Sequence, residues 1–174
     1  MIDRLPYTIA VLCYLFGPDG KVLLLHRRKP PNAGLYSPIG GKLDQDSGES
    51  PSDCAVREIY EETGLETSCS ELHLTGMVSE SGYHDQMHWL MFLYEVTRPV
   101  QVQRTVFDEG RLGWHDTEHL CNLAIPETDQ QVIWPLFWRY RGRFFAAHID
   151  CTGDHLRWHL QQPQCDVDTN RQTH

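Results

Sequence analysis

The order of apolar runs along this chain predicts an α/β fold, a mixed sandwich in which strands flank two helices. Three observations predict it. Short runs of β-branched, aromatic and aliphatic residues recur between clusters of Gly, Pro and Asp. Residues 51–63 carry apolar positions at helical spacing between a clear start and a clear stop. Residues 127–141 repeat that spacing near the C-terminal end.

The elements follow in order. Residues 7–16 read as a first strand, ending in the turn signal Gly17-Pro18-Asp19-Gly20. Residues 21–26 form a second apolar run, so the pair reads as a hairpin. Residues 30–46, with prolines, glycines and Asn32, read as loop. Ser50 is placed to cap a helix, with Pro51 at its first position and Asp53 three residues after the cap. Ala55, Val56, Ile59, Tyr60 and Thr63 line one face, and Gly64 is the natural stop. Residues 72–78 and 89–96 read as strands, the second buried on both faces, with a polar loop over 79–88. Residues 110–115 read as another strand. Val132, Ile133, Leu136, Phe137 and Tyr140 define the second helix, with Pro135 marking a kink or a shifted start. Residues 144–150 and 155–160 read as a final hairpin across Cys151-Thr152-Gly153-Asp154. The chain is therefore expected to be one domain over 1–162 with a disordered tail over 163–174.

Composition narrows the function. A chain of 174 residues buries roughly two-thirds of its unfolded surface and needs no disulfide staples. Apolar residues make up 40%, enough for a core. No apolar run approaches the ~20 residues that span a membrane, and the start reads as a strand rather than a signal peptide. Fifteen basic residues against twenty-four acidic ones give a net charge of −9, which argues against a nucleic-acid polymer or an anionic membrane as partner. It leaves room for a small anionic substrate bridged by a metal ion. The six cysteines, Cys13, Cys54, Cys69, Cys121, Cys151 and Cys165, form no CxxC pair and fit a reducing, cytoplasmic compartment. His84 and His88 are four apart, but Gly82 and Asp85 mark a turn there rather than a metal site.

One cluster of like charge has no local explanation. Glu58, Glu61 and Glu62 project over neighbouring turns of the first helix. Each such pair costs about 0.2–0.5 kcal/mol on an exposed helix. They also crowd its C-terminal end, where the helix dipole disfavours anions. A hard divalent cation would repay this, because Mg²⁺ takes oxygen ligands. Arg57 is placed to pair with them. The preceding Gly40-Gly41-Lys42 lets backbone approach a ligand and adds a phosphate-seeking charge.

This arrangement resembles the Nudix box, Gx5Ex7REUxEExGU with U aliphatic. Glu49, seven intervening residues, then Arg57-Glu58-Ile59-Tyr60-Glu61-Glu62-Thr63-Gly64-Leu65 match without a gap. Between Gly41 and Glu49 lie seven residues rather than five, a two-residue extension around Gln45-Asp46-Ser47. The resemblance implies an α/β/α sandwich with a mixed central sheet and a box that binds Mg²⁺ or Mn²⁺. It implies hydrolysis of a nucleoside diphosphate linked to another group, by water attack on phosphorus. By position, Glu58, Glu61 and Glu62 become metal ligands, with the Gly41 carbonyl a further one. Arg57 and Glu49 become an orienting pair, and Arg57, Glu58, Glu61 and Glu49 the catalytic set. Which carboxylate takes the proton from water varies within the family. Glu109, five residues before Trp114, resembles the acidic residue that reaches the metal in many MutT-like members.

The flanks bear on the substrate. Arg27 and Arg28 at the end of the second strand, and Lys42, are placed to meet phosphate. Residues 127–136 resemble the start of the C-terminal helix in MutT-like nucleoside triphosphate diphosphatases. There Asp129, or else Glu127, takes the base-reading role and Trp134 stacks on a purine. Ser37 departs from the Asn that animal oxidised-guanine enzymes use in the matching loop. Tyr83, eighteen residues after Leu65, matches instead the spacing of dinucleoside polyphosphate hydrolases. ADP-ribose hydrolases tend to carry a Pro near there, and none occurs between Pro51 and Pro99. A non-catalytic nucleotide sensor would typically lack box carboxylates, and all are present. The expectation is a Mg²⁺-dependent pyrophosphohydrolase acting on a nucleoside triphosphate.

Overall fold

The computed structural model describes residues 5–84 and 87–163. Among the described residues nine strands form two sheets, with two α-helices packed outside them. The larger sheet has the order β1 (Tyr7–Tyr14), β5 (Met87–Val96), β4 (Leu72–Tyr83), β8 (Phe145–Asp150) and β9 (Arg157–Gln162). It is mixed: β1 runs parallel to β5 and β4 parallel to β8, while β4–β5 and β8–β9 are antiparallel. The smaller sheet has the order β3 (Tyr36–Ser37), β2 (Val22–Arg27), β7 (Gly110–His115) and β6 (Val106–Phe107), all antiparallel.

The first two strands are thus not the hairpin that their spacing predicts. They share only their base, where Phe16 bridges Val22 and the Leu23 amide donates to the Leu15 carbonyl at 2.9 Å. Beyond it β1 turns to β5 and β2 to β7. Side-chain alternation explains the split. Ala10 and Tyr14 of β1, with Val22 and Leu24 of β2, join the core under the second helix. Val11, Cys13 and Leu15, with Leu23 and Leu25, join the core under the first. Both faces of each strand are buried, which a lone hairpin cannot provide.

Helix α1 (Pro51–Thr63) forms as its start and stop signals predict. Gly64 adopts φ 74°, a left-handed cap, and its amide donates to Tyr60. Cys54, Ala55 and Ile59 face the sheet. The second helix differs from its expected outline. Residues Asp129–Ile133 form one wide turn, with the Trp134 amide donating five residues back to the Asp129 carbonyl. The α-helical part, α2 (Trp134–Tyr140), follows with Pro135 in its first turn, where a missing N–H is tolerated.

Three further expectations are corrected. Residues 79–83 belong to β4 rather than to a polar loop, because Glu80 and Gly82 alternate inward with Val78. The segment 30–46 is not all loop: it contains β3, and Ile39 and Lys42 bridge to Cys13 and Ala10. Strand β9 runs through Gln162, two residues past the expected end of the final hairpin at Leu160. The final hairpin forms as expected. The tail expected over 163–174 lies outside the described residues beyond 163, as does Cys165. No helix among the described residues is long and apolar enough to cross a membrane.

Ser50 Oγ accepts the Asp53 amide at 3.2 Å. Ser50→Ala should therefore cost about 1 kcal/mol. For a domain of this size that lowers Tm by roughly 3 °C. Scanning calorimetry of the two proteins checks it.

Candidate active site

The site is built around one guanidinium. Arg57, on the outer face of α1, donates from Nε and Nη2 to the two oxygens of Glu49 at 2.7 and 2.9 Å. Its Nη1 donates to Glu58 at 2.7 Å and to Glu61 at 3.2 Å, and Nη2 also reaches the Lys42 carbonyl at 3.2 Å. This two-pronged contact holds the Glu49 carboxyl at about 2, well below its ordinary range.

The extra residues between Gly41 and Glu49 do not disturb it. They close into a turn whose ends are tied: the Asp44 amide donates to Glu49 Oε2 at 2.9 Å, and the Glu49 amide to the Asp44 carbonyl at 3.1 Å. Asp44 Oδ1 accepts the Asp46 and Ser47 amides inside the loop. Just upstream, Gly40 and Gly41 pass where no side chain fits. A Cβ on Gly40, at φ 151°, would run into the Val11 carbonyl, and one on Gly41 would displace the Glu58 carboxyl. The Gly41 carbonyl accepts the Val11 amide at 2.9 Å, so one of its lone pairs is already used.

Glu62 is the exception in this network. It is 3% exposed, and neither carboxyl oxygen has a hydrogen-bond partner. Burial pushes its pKa up to about 8, and the charges of Glu58 and Glu109 push the same way. Glu58 is also raised, by burial first, against the pull of Arg57. An orphaned buried carboxyl is costly, at roughly 1–3 kcal/mol or more, unless something pairs with it. The donors gathered here are hard oxygens, the set that Mg²⁺ or Mn²⁺ takes. Among the described residues no three His, Cys, Asp or Glu side chains already converge on one point, because Arg57 Nη1 lies between Glu58 and Glu61.

A cleft of about 430 Å³ opens beside this cluster. Arg27, Gly40, Gly41, Lys42, Glu58 and Glu109 line it, as do Asn32, Ser37, Glu80, Tyr83, Trp89, Met91, Thr128 and Asp129. Arg27 is 3.9 Å from Glu109 and donates to the Pro31 carbonyl at 3.0 Å. Lys42 Nζ sits 5.7 Å from the centre of the Trp89 ring. The Tyr83 hydroxyl donates to Asn32 at 2.6 Å, which leaves Tyr83 a wall of the cleft. Asp129 is buried, and its carboxyl is held well up by burial and by Glu80.

Two expected contacts are not made. Arg28 is exposed and outside the cleft lining; its amide donates to the Glu109 carbonyl at 2.8 Å. Trp134, at 4% exposure, packs edge-on against Tyr14 at 5.0 Å and stacks on Trp138 at 5.8 Å, inside the core. The indole follows directly on the wide turn over Asp129–Ile133 and faces the core rather than the cleft. Trp89 is the tryptophan that the cleft does present. Glu127 is exposed and accepts from Gln131 at 2.7 Å, so of the two acidic residues there Asp129 is the one in the cleft. Glu80 escapes a sequence reading that takes 79–88 as loop. The signal was the inward alternation Val78, Glu80, Gly82.

Comparison with known proteins agrees with this geometry. A NUDIX domain family model matches residues 6–134, and the chain belongs to the Nudix hydrolases. The Nudix hydrolase YvcI of Bacillus subtilis (strain 168) is 32% identical over 116 residues, 66% of this chain and 70% of that protein. An RNA pyrophosphohydrolase of Mesorhizobium japonicum is 28% identical over 155 residues, 72% of this chain and 86% of that protein. The crystal structure of a MutT protein from Bacillus halodurans superposes with a TM-score of 0.70 at 24% identity, covering 88% of this chain and 97% of that one.

The Arg57–Glu49 pair makes stability pH-dependent. Because the folded carboxyl is depressed, its contribution is present above about pH 4.5 and is lost as the pH falls toward 2. Glu49→Gln should melt below the wild type at pH 6, and the gap should close as the pH falls to 2. Thermal melts across that range check it.

Proposed function

We propose that this Nudix hydrolase is a divalent-metal-dependent pyrophosphohydrolase that converts a nucleoside triphosphate to a monophosphate and pyrophosphate. The observation that carries the reading is one continuous cleft. It runs from Glu58 and Glu109, beside the orphaned carboxyl of Glu62 and suited to a cation and phosphates, to a separate buried acidic end suited to a base. Glu58, Glu61 and Glu62 would hold Mg²⁺ or Mn²⁺, with Glu109 reaching the same ion. Bound there, the cation would neutralise phosphate oxygens and lower the pKa of the attacking water. Arg57 and Glu49 keep Glu58 and Glu61 oriented. Arg27 and Lys42 face the phosphate chain, Trp89 and Met91 wall the nucleoside, and Asp129 reads the base. The Mesorhizobium relative is named as a pyrophosphohydrolase, of RNA. The free thiols of Cys13, Cys54, Cys69, Cys121 and Cys151 support a cytoplasmic setting.

Glu61 is the cleanest test, because its side chain is 56% exposed and its loss should leave the fold intact. Glu61→Gln should lower turnover by orders of magnitude with an unchanged Tm. A folded variant fully active in Mg²⁺ would remove the metal assignment. Product analysis on a nucleotide panel should show pyrophosphate, not orthophosphate, released first. Much higher kcat/KM on dinucleoside polyphosphates would move the protein to that class, with Tyr83 as its contact.

Asp129→Ala should lower kcat/KM for the preferred purine by about ten- to a hundred-fold, since an unpaired polar group costs roughly 1–3 kcal/mol. It should narrow the gap to pyrimidines and leave metal dependence unchanged. A lower Tm with the same nucleotide ranking would instead make Asp129 a structural residue.

A further inference from the structure

Two acidic elements meet at the box end of the cleft. Glu58 of α1 and Glu109 of the turn between β6 and β7 both line it. Glu109 lies close enough for its charge to raise Glu58 and Glu62 alike. Like charges push such elements apart, so the approach of the turn to the helix needs a tie. Arg27 of β2 is 3.9 Å from Glu109, and the Arg28 amide donates to the Glu109 carbonyl at 2.8 Å. Both contacts anchor the turn to the smaller sheet, and neither involves α1.

The tie comes from the other arm of the hairpin. The hairpin closes at Thr105, whose carbonyl accepts the Leu112 amide at 2.9 Å. Arg104, one residue earlier, donates from Nη1 to the Glu61 carbonyl at 2.6 Å. Among the described residues this is the hydrogen bond that joins residues 97–112 to α1. The Glu61 carbonyl is one of the last four of the helix, which have no helical partner. The last turn of α1 carries no basic residue of its own, so Arg104 also meets the negative end of the helix dipole. Its charge is spent on backbone. Arg57 occupies the carboxyls of Glu58 and Glu61, whereas Arg104 occupies neither. The segment before it is held as well: Val100 is buried, its amide donates to the Phe16 carbonyl at 2.8 Å, and Val102 packs on the core under α1.

We infer that Arg104 is a positioning residue: it fixes the turn that carries Glu109 against the end of α1, so that Glu109 and the α1 carboxylates close on one divalent cation. This inference rests on the reading of those carboxylates as a metal site. It predicts an effect of unexpected sign. A bare positive charge beside a cation site weakens binding, and its removal tightens binding. A residue that sets the spacing of the ligands does the reverse.

The test is calorimetric titration of the full chain with Mn²⁺, without nucleotide, near neutral pH. Arg104→Gln should keep the wild-type circular dichroism spectrum and bind Mn²⁺ about ten-fold more weakly. Arg104→Lys, which keeps a charged donor within reach of the Glu61 carbonyl, should recover most of the affinity. Glu109→Gln should weaken binding to a similar degree. The double variant Arg104→Gln with Glu109→Gln should bind no more weakly than Glu109→Gln alone, because the tie acts through that carboxylate. Tighter binding in Arg104→Gln would make Arg104 a mere charge and overturn the inference. A lower Tm with unchanged Mn²⁺ affinity would make it a mere helix cap and overturn it too, as would additive losses in the double variant. The two readings fail separately. A wild type that binds Mn²⁺, with the loss expected in Glu61→Gln but none in Arg104→Gln, loses the tie alone. A wild type that binds no Mn²⁺ loses the metal reading, and the tie with it.

Discussion

Everything at the Nudix-box end of the cleft depends on where one guanidinium points. Arg57 gathers Glu49, Glu58, Glu61 and the Lys42 carbonyl, tying the loop before α1 to the helix itself. Without it, Glu58, Glu61 and Glu62 would crowd the last turns of a helix whose C-terminal end already repels anions, and Glu49 would lie unpaired in the loop before it. Arg57 fixes three of them and leaves Glu62 beneath as the uncompensated member. The helix end is further supported by Arg104, whose Nη1 donates to the Glu61 carbonyl at 2.6 Å. One guanidinium set against four carboxylates leaves the cluster short of positive charge.

The second dependence is topological. Strands β1 and β2 part after a shared base, and each feeds alternate side chains to two cores. The cleft opens beside β1, with α1 carboxylates on one flank and β4, β5 and the turn before α2 on the other. Opposite chemistries are thereby kept apart on separate elements. A change at Asp129 can leave Glu58 and its neighbours on α1 alone.

How much of this the sequence discloses follows from range. The box helix was legible to its caps, because Ser50, Pro51 and Gly64 act through local backbone geometry. The box carboxylates were legible because their spacing is local too. The parting of β1 from β2 was not, since a two-residue-period pattern does not say which sheet receives each face. Trp134 was misplaced for a related reason. One residue of widening in the turn over Asp129–Ile133 rotates every later side chain, and nothing in the local composition announces it. Glu80 was hidden by its chemistry: among Ser79 and Ser81 it reads as solvated loop, although alternation turns it inward.

The loop over residues 45–48 deserves a last thought for its independence. Asp44 and Glu49 are bonded to each other on both sides of it, so the chain between them is a closed side-branch. Its length is uncoupled from the position of Glu49. Loop-closure cost grows only slowly with length, about 0.6 kcal/mol per doubling. This makes the segment a natural port in the scaffold. A fluorophore, an affinity tag or a whole guest domain inserted there would ride beside α1 while the Asp44–Glu49 clasp shields Arg57 from the cargo.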